Sequence, residues 1–204
     1  MVETLRRTIP VIKSPIETSA PASTPVSLAE AKDHLRITTS DHDARITQAI
    51  AAATDWAQRY TRRQFVTASY SLTFDAFPCG LDALELPRSP LVSVASVAYV
   101  DTAGNTQTLT AGDEYTVLIT GVVGQIVPAY SKAWPNTRLQ RDGVTVVFTS
   151  GYGAASAVPE AIRSAVLMRV ADLFENPDAS SVDKLSENRT AGMLLDSYVV
   201  SEAY

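Results

Sequence analysis

The side chains that could do chemistry in this chain are few and scattered. His34 and His42 are the only histidines, eight residues apart, with Asp41 and Asp43 beside the second. A metal site needs ligands that converge at short helical or turn spacing, and these two fall on different predicted helices near their ends. Exposed helix-end histidines are therefore expected. Ser150 lies in a Ser-Gly-Tyr-Gly turn that resembles a nucleophile elbow only superficially. The G-x-S-x-G pattern is absent, and nothing near it in sequence suggests a paired base. Gly121-Val-Val-Gly124 lacks the G-K-[ST] ending and the following helix of a phosphate loop, so it reads as a hairpin connection. Asp101, Asp113 and Glu114 sit in predicted turns, where carboxylates cap backbone amides; the alternating oxygen ligands of a calcium loop are missing. Cys79 stands between Pro78 and Gly80, with no charge pattern that would activate a thiolate. An aromatic loop, Tyr130 followed by Trp134-Pro-Asn-Thr-Arg138, could stack on a ligand, although a packed loop anchor is the stronger expectation. No catalytic residue, cofactor site or metal site emerges.

The elements that would position these residues are easier to read. A capping box opens the first helix: Ser27-Leu-Ala-Glu30 places an acid three residues after a Ser cap. This helix ends near Ile37. A second start is expected at Ser40, with Asp43 in the reciprocal position, and a helix from about Asp41 to Arg63. Ile46, Ala49, Ile50, Ala53, Ala57 and Tyr60 form its apolar stripe. The many alanines allow another backbone to come close, within the chain or across a subunit boundary. Arg59, Arg62 and Arg63 at its end complement the helix dipole.

From Gln64 the period changes to two. Val66, Ala68, Tyr70, Leu72 and Phe74 alternate with polar residues over one strand. Short strands follow at Leu84–Leu86, Leu91–Val100, Gln107–Leu109, Tyr115–Leu118, Gln125–Val127 and Val144–Phe148. A phase shift between Val94 and Val97 predicts a bulge. The glycine turn at Gly151–Gly153 stops the last strand. A helix from Pro159 carries Ile162, Ala165, Val166, Val170, Leu173 and Phe174 on one face, and Asn176-Pro177 ends it. The predicted fold is α+β: two N-terminal helices and one C-terminal helix frame an inserted, mainly antiparallel β domain. The segments expected are a proline-rich arm (1–25), a helical part (26–63), a β insertion (64–150), the final helix (151–177) and a tail (178–204).

The chain has 17 basic and 22 acidic side chains, net −5. A general nucleic-acid binder would need a basic face, which this balance argues against. The charge is uneven: +2 over residues 1–63, −3 over 64–150 and −4 over 151–204. A lone cysteine allows no intrachain disulfide. No signal peptide and no apolar run of the ~20 residues of a membrane span is present, so a soluble, cytoplasmically assembled protein is expected.

Taken in order, S-L-A-E-A-K-D-H-L-R, D-A-R-I-T-Q-A-I-A-A-A, L-P-R-S-P-L-V-S-V-A-S-V-A-Y-V-D-T-A-G, A-W-P-N-T-R, V-T-V-V-F-T-S-G-Y-G and V-P-E-A-I-R-S-A-V-L carry a resemblance. The chain resembles the head–tail connector (adaptor) proteins of long-tailed phages and phage-derived gene transfer particles over residues 26–176. The resemblance implies a non-enzymatic ring of about twelve copies under the portal, lining a channel through which DNA passes without specific binding. It also implies a tail-side partner and no membrane. Residues 180–204 would reach the portal through Met193, Leu194, Leu195, Tyr198 and Val199. The stripe Ile46, Ala49, Ile50, Ala53 and Ala57 would pack the ring, and Trp134 and Arg138 would make loop contacts. A head-closure or tail-completion protein is the first alternative. A small ligand-binding or hydrolytic protein with a site near Tyr130, Trp134 and Arg138 is the second.

Overall fold

Ser27 starts the first helix as its spacing predicts. In the computed structural model, which describes residues 14–176 and 189–201, helix α1 spans Leu28–Leu35 and Ser27 is its N-cap. The Ser27 hydroxyl accepts from the Glu30 amide at 3.2 Å, and the Glu30 carboxylate accepts from the Ser27 amide at 2.8 Å. Arg163 from a distant part of the chain adds an ion pair to the same carboxylate. Helix α2, Asp43–Thr61, does not use the cap expected at Ser40. His42 is its N-cap without a side-chain bond, and the Asp43 amide donates to the Ser40 carbonyl. The Asp43 carboxylate instead takes the Lys32 ammonium at 2.6 Å, which joins α2 to α1.

The fold is α+β, and the chain divides into two units. The helical unit joins Pro21–Thr67 to the chain from Gly151 onward. It contains α1, α2, a single 3-10 turn at Ala155–Ala157, α3 (Glu160–Glu175) and α4 (Arg189–Asp196). Ile46, Ala49, Ile50, Ala53 and Ala57 of α2 share one buried cluster with Ile162, Ala165, Val166 and Val170 of α3. Burying an isoleucine or valine of this kind stabilises by about 1.5–3 kcal/mol. Alanines at the contact let the helix backbones approach. Gln64–Thr67, expected to open the β insertion, belong to this unit; Phe65 and Val66 are buried in its core.

The β unit comprises the chain up to Ala20 together with Ala68–Ser150. Its strands are β1 (Ile16–Ser19), β2 (Ala68–Phe74), β3 (Leu84–Leu86), β4 (Leu91–Val100), β5 (Thr106–Thr108), β6 (Tyr115–Leu118), β7 (Gly124–Pro128) and β8 (Val144–Ser150). Five form a sheet in the order β1-β2-β8-β4-β5, and three form a second in the order β3-β7-β6. The named strands pair antiparallel throughout. Ala68, Tyr70, Leu72 and Phe74 of β2 are buried beside Val144, Val146 and Phe148 of β8. Tyr70 stands opposite Phe148, with ring centroids 5.8 Å apart. The expected bulge in β4 lies between Val94 and Ser96, and a second lies between Leu91 and Ser93. Part of the 1–25 arm is a sheet edge: β1 pairs with β2, with its four side chains exposed. Residues 1–13 lie outside the described residues.

Glycine is required where β7 passes β4. A Cβ on Gly124 would stand 2.5 Å from the Leu91 side chain. A tighter constraint sits where the chain leaves and re-enters the helical unit. The Tyr152 amide donates to the Phe65 carbonyl and the Thr67 amide to the Gly153 carbonyl, each at 2.9 Å. Gly151, at φ +132°, has room for no Cβ, which would meet Thr67 Cα at 2.6 Å.

Gly151→Ala should therefore lower the thermal midpoint far more than Gly80→Ala. Gly80 also has positive φ, but nothing stands within 4 Å of its Cβ position. Differential scanning calorimetry of the two variants makes the comparison. A pH prediction follows from the capping box. Bonds from Ser27 and the Arg163 charge hold the Glu30 carboxyl below its ordinary value. A lowered folded-state value gives stability that is present above the unfolded value of about 4.3 and lost as pH falls through the folded one. Urea midpoints taken down an acid series should fall less steeply for Glu30→Gln than for the parent.

Candidate functional site

The groups with chemical potential remain apart. His34 and His42 are exposed, and His42 sits edge-on to Phe174 with centroids 5.6 Å apart. Among the described residues no group of three His, Cys, Asp or Glu is arranged to hold a metal ion. The Ser150 hydroxyl is buried and makes no hydrogen bond. Ser150 ends β8. Cys79 is exposed. Asp101 accepts from Gln107 and from the Asn105 and Ala103 amides, and these bonds hold its carboxyl below the ordinary value. It is a turn cap. Gly124 begins β7, so Gly121–Gly124 closes the β6–β7 hairpin. No helix is long and apolar enough to cross a membrane among the described residues.

The aromatic loop separates into an anchor and a rim. Trp134 stacks face to face on Phe77, centroids 4.7 Å apart and planes 5° apart, and its indole N–H donates to the Asp82 carbonyl at 2.9 Å. Phe77 meets Tyr99 edge-on at 5.6 Å. Trp134 therefore fastens the loop to the β unit. Arg138 bonds the Val100 carbonyl through its backbone amide, while its side chain lies exposed beside Gly104. Tyr130 is 99% exposed.

The α2 stripe proposed for ring packing is used inside the subunit. Ile46, Ala53 and Ala57 are fully buried and Ala49 and Ile50 nearly so, against α3 and its neighbours. They fix α2 within the chain and present no surface of their own; Ala51 and Ala52 are exposed instead. Heptad-like spacing reports that a face is buried, not what covers it.

The tail also departs from expectation. Residues 177–188 and 202–204 lie outside the described residues. Between them, α4 docks on the helical unit rather than extending from it. Leu195 is fully buried, and Ala191 and Val200 nearly so. Leu194 and Tyr198 pack against the same core. Of the five expected anchors, only Met193 (68%) and Val199 (40%) are exposed. Three polar contacts hold the segment to the end of α2. The Tyr60 hydroxyl donates to Asp196 at 2.5 Å, Arg63 Nε to the Tyr198 carbonyl at 2.6 Å, and the Val200 amide to the Thr61 carbonyl at 3.1 Å. Burial pushes the Tyr152 phenol up, offset in part by Arg63. Arg63 is thus more than a complement to the helix dipole: it clamps the tail. Nothing in the spacing of Arg59, Arg62 and Arg63 singled it out, because its partner is a backbone carbonyl 135 residues away.

Residues 25–106 match the family model of the phage gp6-like head–tail connector proteins, a span that holds α1, α2 and β2 to β4. The resemblance read from the sequence therefore stands. The same fold occurs in a solved structure of the neck of an empty gene transfer agent particle computed with C6 symmetry. It aligns with a TM-score of 0.78 and 22% identity, over 94% of this chain and 98% of that one. The neck of the native particle computed with C12 symmetry, and the virion of the native particle, each align with a TM-score of 0.76 at the same identity and coverage. No curated protein matches the chain.

Leu195→Ala should cost about 2–5 kcal/mol of stability, the range for emptying a buried leucine site. Met193→Ala should stay within about 0.5 kcal/mol, as for an exposed side chain. Chemical denaturation of both variants distinguishes a docked tail from a free one: equal, negligible losses would show that α4 does not pack.

Proposed function

We propose that this protein is a structural head–tail connector, a ring-forming subunit that joins a capsid vertex to a tail. The observation that carries the reading is the fold shared with the gene transfer agent neck over 94% of the chain, together with the connector model on residues 25–106. In this reading the subunit is not an enzyme. Twelve copies form a closed ring beneath a portal, continue its DNA channel and offer their far side to a tail-side protein. The C12 symmetry reported for the similar neck supports the copy number. A heterologous interface repeated by rotation closes into such a ring.

The docked tail refines which side chains meet the portal. Met193 and Val199 are the exposed apolar groups of the segment, and they form the contact. Leu195, Leu194 and Tyr198 hold α4 against the helical unit so that those two are presented together. The alternative of a β-domain ligand site near Trp134 loses support because that indole is stacked on Phe77 and its N–H is bonded to Asp82.

Two measurements test the reading. Deleting the gene should leave DNA-filled heads and separate tails, scored by electron microscopy of particles. Met193→Asp with Val199→Asp should abolish capture by the cognate portal protein, with a thermal midpoint close to the parent's. Normal tailed particles in the deletion strain would sink the connector role, and unimpaired capture would sink the tail contact alone.

A further inference from the structure

The turn that joins β6 to β7 carries unusual side chains for a surface loop. From Tyr115 to Ser131 the sequence holds no charged residue. A solvent-facing hairpin tip ordinarily shows Asn, Asp or Gly. Here stand Leu118, Ile119 and Val122, exposed by 39%, 57% and 60%. One exposed apolar side chain needs no account, but three at a single turn mark a surface that another molecule covers. The tip is also held in shape. Leu118 is registered against Gln125 in the β6–β7 ladder, and the buried Ser89 hydroxyl donates to the Val122 carbonyl at 2.5 Å. A knob fixed in this way has little conformational entropy left to lose on docking.

The helical unit contains a hollow of matching character. A groove of about 190 Å³ lies between the segment before α1 and the middle of α2, lined by Pro21, Pro25, Ala51 and Val66 among others. Three of its polar lining residues are already committed within the subunit. The Thr24 hydroxyl donates to the Val26 carbonyl at 2.6 Å and the Thr54 hydroxyl to the Ile50 carbonyl at 2.7 Å. The Asp55 carboxylate pairs with Arg59 at 2.9 Å. The Val66 carbonyl takes the Gln64 side-chain amide at 2.8 Å. A charged segment entering here would give up its hydration with little in return, whereas an aliphatic side chain gives up none. A dry cavity of about 150 Å³ takes up benzene, so this groove has room for a branched aliphatic side chain.

We propose that the β6–β7 hairpin of one copy docks in this groove of the next copy, with Ile119 and Val122 seated against Pro21, Pro25 and Ala51. The groove calls for an uncharged aliphatic occupant, and the chain itself supplies one. The only charges at the contact are Asp55 and its partner Arg59, which already neutralise each other. Knob and groove are unlike surfaces, so the contact is heterologous: each copy keeps one free knob or groove until rotation closes the ring. An apolar anchor in a preformed hollow is also where interface energy concentrates. Ala51 belongs to the exposed face of α2, which the buried stripe leaves free. The contact rests on the connector reading, which calls for a ring, and it names side chains that hold the ring together.

The test is sedimentation velocity of the full-length protein over a concentration series. The parent should associate as its concentration rises. Ile119→Asp with Val122→Asp, which spoils the knob, should stay monomeric, and so should Ala51→Glu, which puts a charge in the groove. Both should keep the parent's thermal midpoint, because all three side chains are exposed. Mixed together, the two variants should form a one-to-one dimer and nothing larger, since each retains the surface that the other has lost. A parent that is monomeric at every concentration overturns the proposal, as does a mixture that stays monomeric. Ala51→Glu associating like the parent also overturns it, because the hairpin then meets something other than the groove. A monomeric parent whose knob variant loses capture by the cognate portal protein makes the hairpin a portal contact instead. Normal tailed particles in the deletion strain, with the mixed dimer formed, sink the connector reading and leave this contact standing. Tailless heads in that strain, with no mixed dimer, sink this contact alone.

Discussion

Everything in this molecule depends on the place where two passages of the chain run side by side. Phe65–Thr67 leave the helical unit beside Gly151–Gly153, which return to it, and backbone hydrogen bonds at 2.9 Å tie the passages together. Thr67 comes so near Gly151 that no side chain fits between them. The next residues outward, Ala68 and Ser150, are already partners in the β2–β8 ladder. Within the helical unit, the departing and returning passages are thus held by one close backbone contact. Gly151 is there because only hydrogen fits, at a φ that side chains rarely adopt.

The same principle, backbone groups satisfied at a distance, governs the tail. Its apolar residues were expected to wait for a partner, because apolar residues after a polar stretch are poorly explained by an isolated chain. The fold instead offers them a groove, and Leu195 is buried in it. Arg63 and Thr61 at the end of α2 then supply hydrogen bonds to the segment's own backbone. What stays exposed is smaller and better defined than the sequence implied: Met193 on the docked helix and Val199 just after it. The ring stripe on α2 follows the same course. Its alanines do allow close approach, and α3 of the same chain is what approaches.

Legibility varied with the range of the interaction. The capping box at Ser27, the alternation through β2 and β8, the glycine turn after β8 and the bulge near Val94 are all local patterns, and all are in the structure. The cap at Ser40 was equally local in appearance. It failed because Lys32, eleven residues earlier, takes the Asp43 carboxylate at 2.6 Å, so a tertiary ion pair displaced a local bond. The β1 edge strand was invisible for another reason. Its four side chains are all exposed, so its residues carry no alternation, and only the ladder to β2 makes them a strand.

The sequence by itself determined the element types, the α+β class, the absence of a recognisable catalytic motif and the family resemblance, because these rest on periodicity, turn chemistry and the order of segments. Only the tertiary structure decided which apolar faces are already covered. Spacing encodes that a side chain is apolar and which way it points, but burial depends on residues a hundred or more positions away. For that reason the stripe on α2 and most of the described tail became core, and the apolar side chains of the tail left open are Met193 and Val199.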